Sequence, residues 1–397
     1  MNDIIQKEKN AFIELLRSFV NQSKPHLEGE LNWDEIIRLS RIHSTEGIIG
    51  YVVMNYPDIN PELVNGFRQI CMQTIGIYAR RADKMKGMIR CLNEHGIDHL
   101  LMKGYLVRQL YPVPELRTFG DIDFLIRPED REKCDRMMME MGFERGTDWE
   151  PVYSYLRKNE YYEIHTDVME VDVSNRADYK GYFKKIWDHA VLKENHTYVP
   201  DLEYHLIYLL THLAKHITGS GAGIRLYLDF AFYLNTYRDQ IDWNHFRNEL
   251  KTLEFETYVN LVFSCVEKWF GVKSPYPLNP ISDEVLDDFL NLTLDGGVFG
   301  HYDEDSGLTA LKKQDRDEET VSKGKTLLKK AFPSASTIES RYTYLQGNHW
   351  LLPVAWTHRF FRTLNKFDQH AKEAIQIMDA DDEKVIRLKR LYKEIGL

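Results

Sequence analysis

The hydrophobic pattern changes its period twice along the chain, and this constrains the fold more than any other feature. Residues 1–95 carry apolar side chains at three- and four-residue steps, such as Leu15 and Phe19, which line one face of a helix. Over residues 97–175 the apolar residues come in short or alternating runs, the pattern of strands. Helical spacing returns over residues 201–397. We therefore predict an α+β fold, with a small mixed sheet between two helical regions.

The strand-like region predicts a definite order of elements. IDHLLMKG is a short apolar run that suits a buried strand, and the Asp-Ile-Asp-Phe-Leu-Ile run that follows a helical segment alternates like a half-buried one. After a second helix, VYSYLRK and YYEIHTDVMEVDV predict two adjacent strands. The order is strand, helix, strand, helix, strand, strand. We divide the chain into a helical region 1–95, an α/β core 96–200 and a helical domain 201–397, with a surface loop at 296–326.

Composition excludes several classes of protein. The 397 residues include 51 basic and 61 acidic ones, a formal net charge of −10, which disfavours broad binding to nucleic-acid backbones. The four cysteines have no metal-site spacing and predict reduced thiols. We found no signal-peptide pattern and no apolar stretch of about 18 residues, so we expect a cytoplasmic protein without a membrane segment. The absence of GxxxxGKS, GxGxxG, GxSxG and HExxH argues against P-loop ATPases, Rossmann dehydrogenases, serine hydrolases and zincins.

Asp121 and Asp123 are the most informative polar residues. Side chains two residues apart on a strand point the same way, so these carboxylates can share hard divalent cations such as Mg²⁺. Two like charges this close repel each other and call for a counter-ion. The alternative is an exposed acidic pair at a strand edge with no catalytic role.

Cationic residues surround this acidic pair in the sequence. Lys103-Gly104 stands at a strand-to-helix junction, where backbone N–H groups and a lysine can hold phosphate. Arg117 lies between the two motifs, and Arg108 and Arg127 are close by. The group predicts a site for an anion together with a metal. For Arg117, a salt bridge to one of the two aspartates is the alternative.

These motifs together resemble a known family. The pattern apolar–Lys–Gly, Tyr, Arg, Asp–Ile–Asp–Phe–Leu–Ile and Gly–Phe is similar to the uncharacterised nucleotidyltransferase family of the polymerase-beta-like superfamily, most clearly over residues 97–175. In that superfamily a Gly-Ser or Gly-Gly turn starts a helix, the next strand carries two acids, and a later strand supplies a third carboxylate. Lys103-Gly104 takes the place that Gly-Ser has in most members.

The resemblance implies a third carboxylate on the YYEIH strand. Glu163 is the candidate, and His165 lies two residues further along the same strand face. Asp172 is the rival, and Asp167 is a more distant one. The choice between them stays open at this point.

Two histidines on a later helix are also candidates. His212 and His216 are four residues apart and therefore share a helix face. They can be metal ligands, can pack against the α/β core, or can line a nucleotide-binding cleft with Arg225 and Asp229. Arg225 and Asp229 have the same spacing, so an intrahelical ion pair is an alternative for them.

The resemblance implies a metal-dependent nucleotidyltransferase that moves a nucleoside monophosphate from a nucleoside triphosphate to a hydroxyl acceptor and releases pyrophosphate. Asp121, Asp123 and Glu163 would hold Mg²⁺, with Mn²⁺ as an alternative. The acceptor can be a small molecule, a tRNA end or a protein. Other possibilities are a non-catalytic nucleotide-sensing or protein-interaction module on the same fold, and a kinase-like transfer of the γ-phosphate. The residues expected to bind substrate are Lys103, Gly104, Arg117, His165, His212, His216, Arg225 and Asp229.

Overall fold

A computed structural model of the chain describes residues 2–120, 122–149, 151–168, 173, 176–219, 221–296, 322–339, 341–363, 367–379 and 382–397. Asp121, Asp172 and most of the predicted loop 296–326 lie outside these residues. The chain divides into two compact units, one of residues 1–214 and 222–300, the other of residues 215–221 and 301–397. These units are defined by contacts in space, whereas the regions 1–95, 96–200 and 201–397 were defined by the hydrophobic pattern. The three-region division therefore stays a prediction.

The first unit begins with helices, as the sequence predicted. They are α1 (Asn2–Asn21), α2 (Trp33–Ile42), α3 (Glu46–Asn55) and α4 (Val64–Glu94). The Asn32 side chain caps α2 by accepting the backbone N–H groups of Asp34 and Glu35. Just beyond the end of α4, Gly96 has φ +61°, a left-handed conformation that glycine adopts without strain. The chain can therefore turn directly from α4 into the sheet.

Among the described residues, a seven-stranded mixed sheet follows. Its strands are β1 (His99–Leu101), β2 (Asp123–Ile126), β3 (Glu144–Trp149), β4 (Val152–Arg157), β5 (Glu160–His165), β6 (Ala190–Glu194) and β7 (Thr197–Pro200). Their order is β3-β4-β5-β2-β1-β7-β6. Strand β2 pairs in parallel with β5, β1 pairs in parallel with β7, and the other neighbours are antiparallel. The connecting helices are α5 (Lys103–Arg108), α6 (Arg131–Glu140) and α7 (Tyr179–Phe183).

The predicted α+β class is confirmed, and so is the pairing of the two runs that became β4 and β5. The predicted element order was wrong in omitting β3, which lies between α6 and β4, and it did not foresee β6 and β7. The β3 segment ERGTDW is mostly polar and lacks an apolar alternation, so pairing with β4 makes it a strand.

The two faces of the sheet have different characters. Phe124 on β2 and Ile164 on β5 are fully buried in one apolar cluster with Leu101 of β1, Met88 of α4 and Met138 of α6. Because side chains alternate along a strand, the neighbours of Phe124 and Ile164 point to the opposite face. That opposite face carries the polar side chains of β2 and β5.

More helices follow among the residues that the structure describes. In chain order they are α8 (Leu202–Thr218), α9 (Ile224–Tyr237), α10 (Trp243–Thr252), α11 (Glu256–Phe270), α12 (Asp283–Gly296), α13 (Lys323–Ala331), α14 (Ala335–Ile338), α15 (Leu352–Thr363), α16 (Phe367–Asp379) and α17 (Asp382–Glu394). In the first unit α11 packs against α1 and α9. In the second, Trp356 of α15 donates a 2.8 Å hydrogen bond to the carbonyl of Pro333. Among the described helices, none combines the length and apolar character needed to cross a lipid bilayer.

The apolar face of the sheet should dominate the stability of the first unit. We expect Phe124→Ala to lower the free energy of unfolding by about 3–5 kcal/mol, because it leaves a cavity in a close-packed core. The control is Leu156→Ala on β4, a side chain 41% exposed, which should change stability by about 0.5 kcal/mol or less. Denaturant unfolding measures both, and equal effects would contradict this account of the core.

Candidate active site

The parallel pairing of β2 with β5 creates a polar cluster. In the register of the two strands, Asp123 lies opposite Glu163, and Leu125 lies opposite His165. Glu163 and His165 are two residues apart and point to the same face as Asp123. One ligand atom of each of Asp123, Glu163 and His165 lies within 4.8 Å of the others, so the three can hold a metal ion. We call these three residues the acidic-histidine cluster.

Direct contacts hold the cluster together. His165 Nε2 lies 3.0 Å from Asp123 Oδ1 and 3.5 Å from Glu163 Oε2. The hydroxyl of Tyr161 donates a 2.6 Å hydrogen bond to Glu163 Oε1. Our sequence reasoning missed Tyr161, although the alternation Tyr-x-Glu-x-His places it on the face that carries Glu163 and His165. Its hydrogen bond orients the Glu163 carboxylate.

Lys103 brings a positive charge to the cluster. Its Nζ lies 3.1 Å from Asp123 Oδ2. The backbone of Lys103 has φ +48°, in the left-handed region that favours glycine. Such a conformation costs a non-glycine residue on the order of 1–3 kcal/mol and is concentrated at functional sites. The strained residue sits at the first position of α5, where the ion pair with Asp123 helps to hold it.

These contacts shift the pKa values of all three cluster residues. Burial opposes the ionisation of Asp123, but the Lys103 ammonium and the hydrogen bond from His165 outweigh it and hold the pKa of Asp123 well below its usual value. Burial also opposes the protonation of His165, but Asp123 and Glu163 outweigh it and raise the His165 pKa. The hydrogen bond from His165 lowers the pKa of Glu163. The cluster therefore favours two carboxylates with a protonated imidazole between them.

Gly104 makes room for the Arg117 side chain. A Cβ atom at Gly104 would overlap the Arg117 guanidinium and lie 3.0 Å from its Cζ. Arg117 in turn is buried and paired with Asp229, with Nη2–Oδ2 and Nε–Oδ1 distances of 2.6 and 3.1 Å. Arg117 can therefore approach this closely only because residue 104 is a glycine. Gly104 directly follows Lys103, the residue that contacts Asp123.

The Arg117–Asp229 pair belongs to a network that joins the segment before β2 to helix α9. Tyr111 donates a 2.8 Å hydrogen bond to Asp229 Oδ1. Arg225 donates a 2.7 Å hydrogen bond to the hydroxyl of Thr118. Asp229 is thus paired with Arg117, 112 residues away, where the sequence had suggested Arg225 as a partner within the same helix. Three predicted substrate-binding residues, Arg117, Arg225 and Asp229, lie together in this network.

Two of the expected cations are engaged elsewhere. Arg127 lies 3.2 Å from Asp98 and stacks 4.2 Å above the ring of Trp187. Since a strand rises by about 3.3 Å per residue, Arg127 lies roughly 13 Å along β2 from Asp123. Arg108 is buried, donates to the carbonyl of Pro114 and lies 3.6 Å from Glu115. The expectation that Arg127 lies beside Asp123 was therefore wrong, while a place for Arg108 near the cluster stays a prediction.

His212 and His216 both lie on α8, and neither belongs to the group of described residues that could hold a metal ion. His212 is half-buried on α8, with its ring 6.3 Å from that of Tyr208. His216 is grouped with the second unit, so the shared role of the two histidines stays a prediction.

Asp167, the more distant candidate for the third carboxylate, accepts the backbone N–H of Val168 at 2.7 Å. The role of Asp121 as a metal ligand stays a prediction, and so does the alternative that Asp172 supplies the third carboxylate.

Comparison with known proteins identifies the family. A family model described as uncharacterised nucleotidyltransferase matches residues 29–271, more than half of the chain. The protein therefore belongs to the uncharacterised nucleotidyltransferase family, as the motifs had indicated. The matched span contains the whole sheet and the acidic-histidine cluster. No curated protein and no solved structure matches the chain.

The buried ion pair should be essential for stability. We expect Asp229→Asn to lower the free energy of unfolding by about 3–5 kcal/mol, because it leaves the buried Arg117 charge uncompensated. The control is Asp58→Asn, which removes an exposed ion pair with Lys24 and should leave stability nearly unchanged. Urea unfolding compares the two variants. Similar small losses in both would show that the network does not hold α9 to the sheet region.

The His165 pKa offers a direct probe of the cluster. In protein freed of metal by chelation, the imidazole should titrate above its ordinary pKa of 6.5, by NMR of the ring protons. Stability from this shift is present below pH 6.5 and is lost as the pH rises through the folded-state pKa. Asp123→Asn should lower the His165 pKa, because it removes a negative charge 3.0 Å from Nε2. An unchanged pKa in that variant would contradict the pairing.

Proposed function

We propose that this protein is a Mg²⁺-dependent nucleotidyltransferase. The observation that carries the proposal is the pairing of Asp123 with Glu163 across two parallel strands. It brings the buried Asp123 carboxylate and the half-buried Glu163 carboxylate within reach of one cation, in a protein of the nucleotidyltransferase family. Carboxylate oxygens are the ligands that Mg²⁺ prefers. Asp121, two residues before Asp123, is assigned to the same site.

The reaction joins an acceptor hydroxyl to the α-phosphorus of a nucleoside triphosphate. The acceptor oxygen forms a bond to the α-phosphorus, the bond from that phosphorus to the bridging oxygen breaks, and pyrophosphate leaves with the bonding electrons. A divalent cation, when bound, stabilises charge on the attacking and leaving oxygens. Glu163 is the group that we assign to accept the proton of the acceptor hydroxyl, because its carboxylate lies beside Asp123 on the neighbouring strand.

Lys103 is the residue that we assign to the triphosphate. Its ammonium already lies at the edge of the cluster, 3.1 Å from Asp123 Oδ2, with a side chain that is 20% exposed. An ammonium in this place can exchange a carboxylate oxygen for a phosphate oxygen. Gly104 and Arg117 support Lys103 from behind: Arg117 packs against Gly104 and is held by Asp229. We therefore assign Arg117 to positioning, through α5.

One observation favours a second candidate, a non-catalytic nucleotide-sensing or interaction module. Both Asp123 oxygens already have cationic partners, Lys103 and His165, and Asp123 is only 7% exposed. A protein of this second kind would keep the ion cluster as a structural element and would transfer nothing.

A transfer assay separates the two candidates. Purified protein is mixed with triphosphates labelled at the α-phosphorus, Mg²⁺ and fractions of small molecules, RNA and protein. We expect label to enter one fraction with release of pyrophosphate; Asp123→Asn and Glu163→Gln should reduce the transfer at least about 100-fold, because each removes a charge from the metal site. In a parallel assay with triphosphates labelled at the γ-phosphorus, transfer of that label with release of a nucleoside diphosphate would instead indicate a kinase-like reaction.

The control for this assay is Glu160→Gln, on the same strand as Glu163. Glu160 pairs with Lys84 and Arg157, and three positions from Glu163 it points to the opposite sheet face. It should transfer label at a rate close to that of the wild type. If label enters no fraction, or if Asp123→Asn matches the wild type, the proposal of catalysis fails and the non-catalytic candidate takes its place.

A further inference from the structure

We propose that His165 is a direct metal ligand through Nε2, and that its imidazole raises the affinity of the site for Mn²⁺ relative to Mg²⁺. This inference rests on the proposed metal-dependent function, but it concerns the donor atoms of the site and can be tested without a nucleotide. In the sequence, His165 was only a candidate for substrate binding. Its position in the folded chain suggests a different role.

The geometry places Nε2 where a cation would lie. The same nitrogen is 3.0 Å from Asp123 Oδ1 and 3.5 Å from Glu163 Oε2, so it faces both carboxylates at once. The His165 side chain is only 8% exposed, which leaves little room for the ring to turn away. A cation bound by the two carboxylates would therefore meet an imidazole nitrogen as its third protein donor.

Lys103 adds a second geometric argument. Its ammonium lies against Asp123 Oδ2, while Oδ1 faces His165. With Lys103 in this place, Oδ1 is the Asp123 oxygen left for a cation, because an ammonium repels a second positive charge. A cation on Oδ1 lies on the His165 side of the carboxylate. On coordination, the proton that Nε2 shares with Asp123 passes to solvent, and the nitrogen lone pair goes to the metal.

The chemistry of this donor set determines the preference. Mg²⁺ favours oxygen ligands and keeps several of its waters, whereas imidazole nitrogen suits first-row transition metals. Mn²⁺ accepts both carboxylate oxygens and, with lower affinity than later metals, imidazole nitrogen. Two carboxylates and one imidazole therefore favour Mn²⁺ more strongly than carboxylates alone would.

The test measures metal binding directly, with no nucleotide present. Calorimetric titrations of the full-length protein with MnCl₂ and with MgCl₂ give the ratio of the two affinities, and pulsed EPR of the Mn²⁺ complex reports coupling to a nitrogen nucleus. We expect ¹⁴N coupling in the wild type. His165→Gln, which replaces the imidazole by an amide, should abolish the coupling and reduce the Mn²⁺:Mg²⁺ affinity ratio at least about tenfold.

The matched control is His196→Gln. His196 Nδ1 lies 2.8 Å from Asp98, so this variant also removes an imidazole beside a carboxylate, but one outside the acidic-histidine cluster. It should keep both the nitrogen coupling and the affinity ratio. Thermal unfolding verifies that the variants are folded. If His165→Gln fails to fold, wild-type protein labelled with ¹⁵N-histidine should convert the ¹⁴N coupling into a ¹⁵N coupling.

The outcomes separate this inference from the proposed function. Mn²⁺ binding without nitrogen coupling, or an unchanged affinity ratio in folded His165→Gln, overturns the role of His165 and leaves metal-dependent transfer intact. No binding of either metal overturns the inference and also removes the metal from the proposed function. Nitrogen coupling in a protein that transfers no label supports the inference while the proposal of catalysis fails.

Discussion

The parallel pairing of β2 with β5 is the constraint on which the candidate site depends. β2 and β5 begin 37 positions apart in the chain. Their pairing places Asp123 beside Glu163 and Leu125 beside His165. A slip of one residue would put the apolar Ile164 beside Asp123 and turn the polar side chains into the core. The burial of Phe124 and Ile164 on the opposite face opposes that slip. The apolar face of the sheet thus maintains the geometry of the polar face.

The charged residues of the acidic-histidine cluster compensate one another at close range. The neighbouring Arg117 is compensated by a residue from a distant part of the chain. Lys103 and His165 compensate Asp123 and Glu163 within one cluster. Arg117 packs against Gly104, the residue that follows Lys103. Its charge is compensated by Asp229 of α9. A buried charge is tolerated only when it is paired. The helical part of the first unit is therefore required for the α/β part to hold Arg117 in place.

Much of the fold was accessible to sequence reasoning because it follows from local periodicity. The helical regions, the strands with apolar alternation and the adjacent pair β4–β5 were all predicted and are all present. The strands β3, β6 and β7 were missed, since they are short, largely polar or half-exposed, and gain their hydrogen bonds from neighbours. The error over Arg127 has a related cause: nearness in sequence was taken for nearness in space.

The amino-acid pattern of this chain settles which side chains share a strand face. Tyr161, Glu163 and His165 lie on one face because a strand has a period of two, and this needs no knowledge of the fold. Which strand lies beside them, and which anion pairs with Arg117, are decided by packing between segments far apart in the chain. The free energy of those contacts comes from burial and charge pairing over the whole unit, so no local segment encodes it.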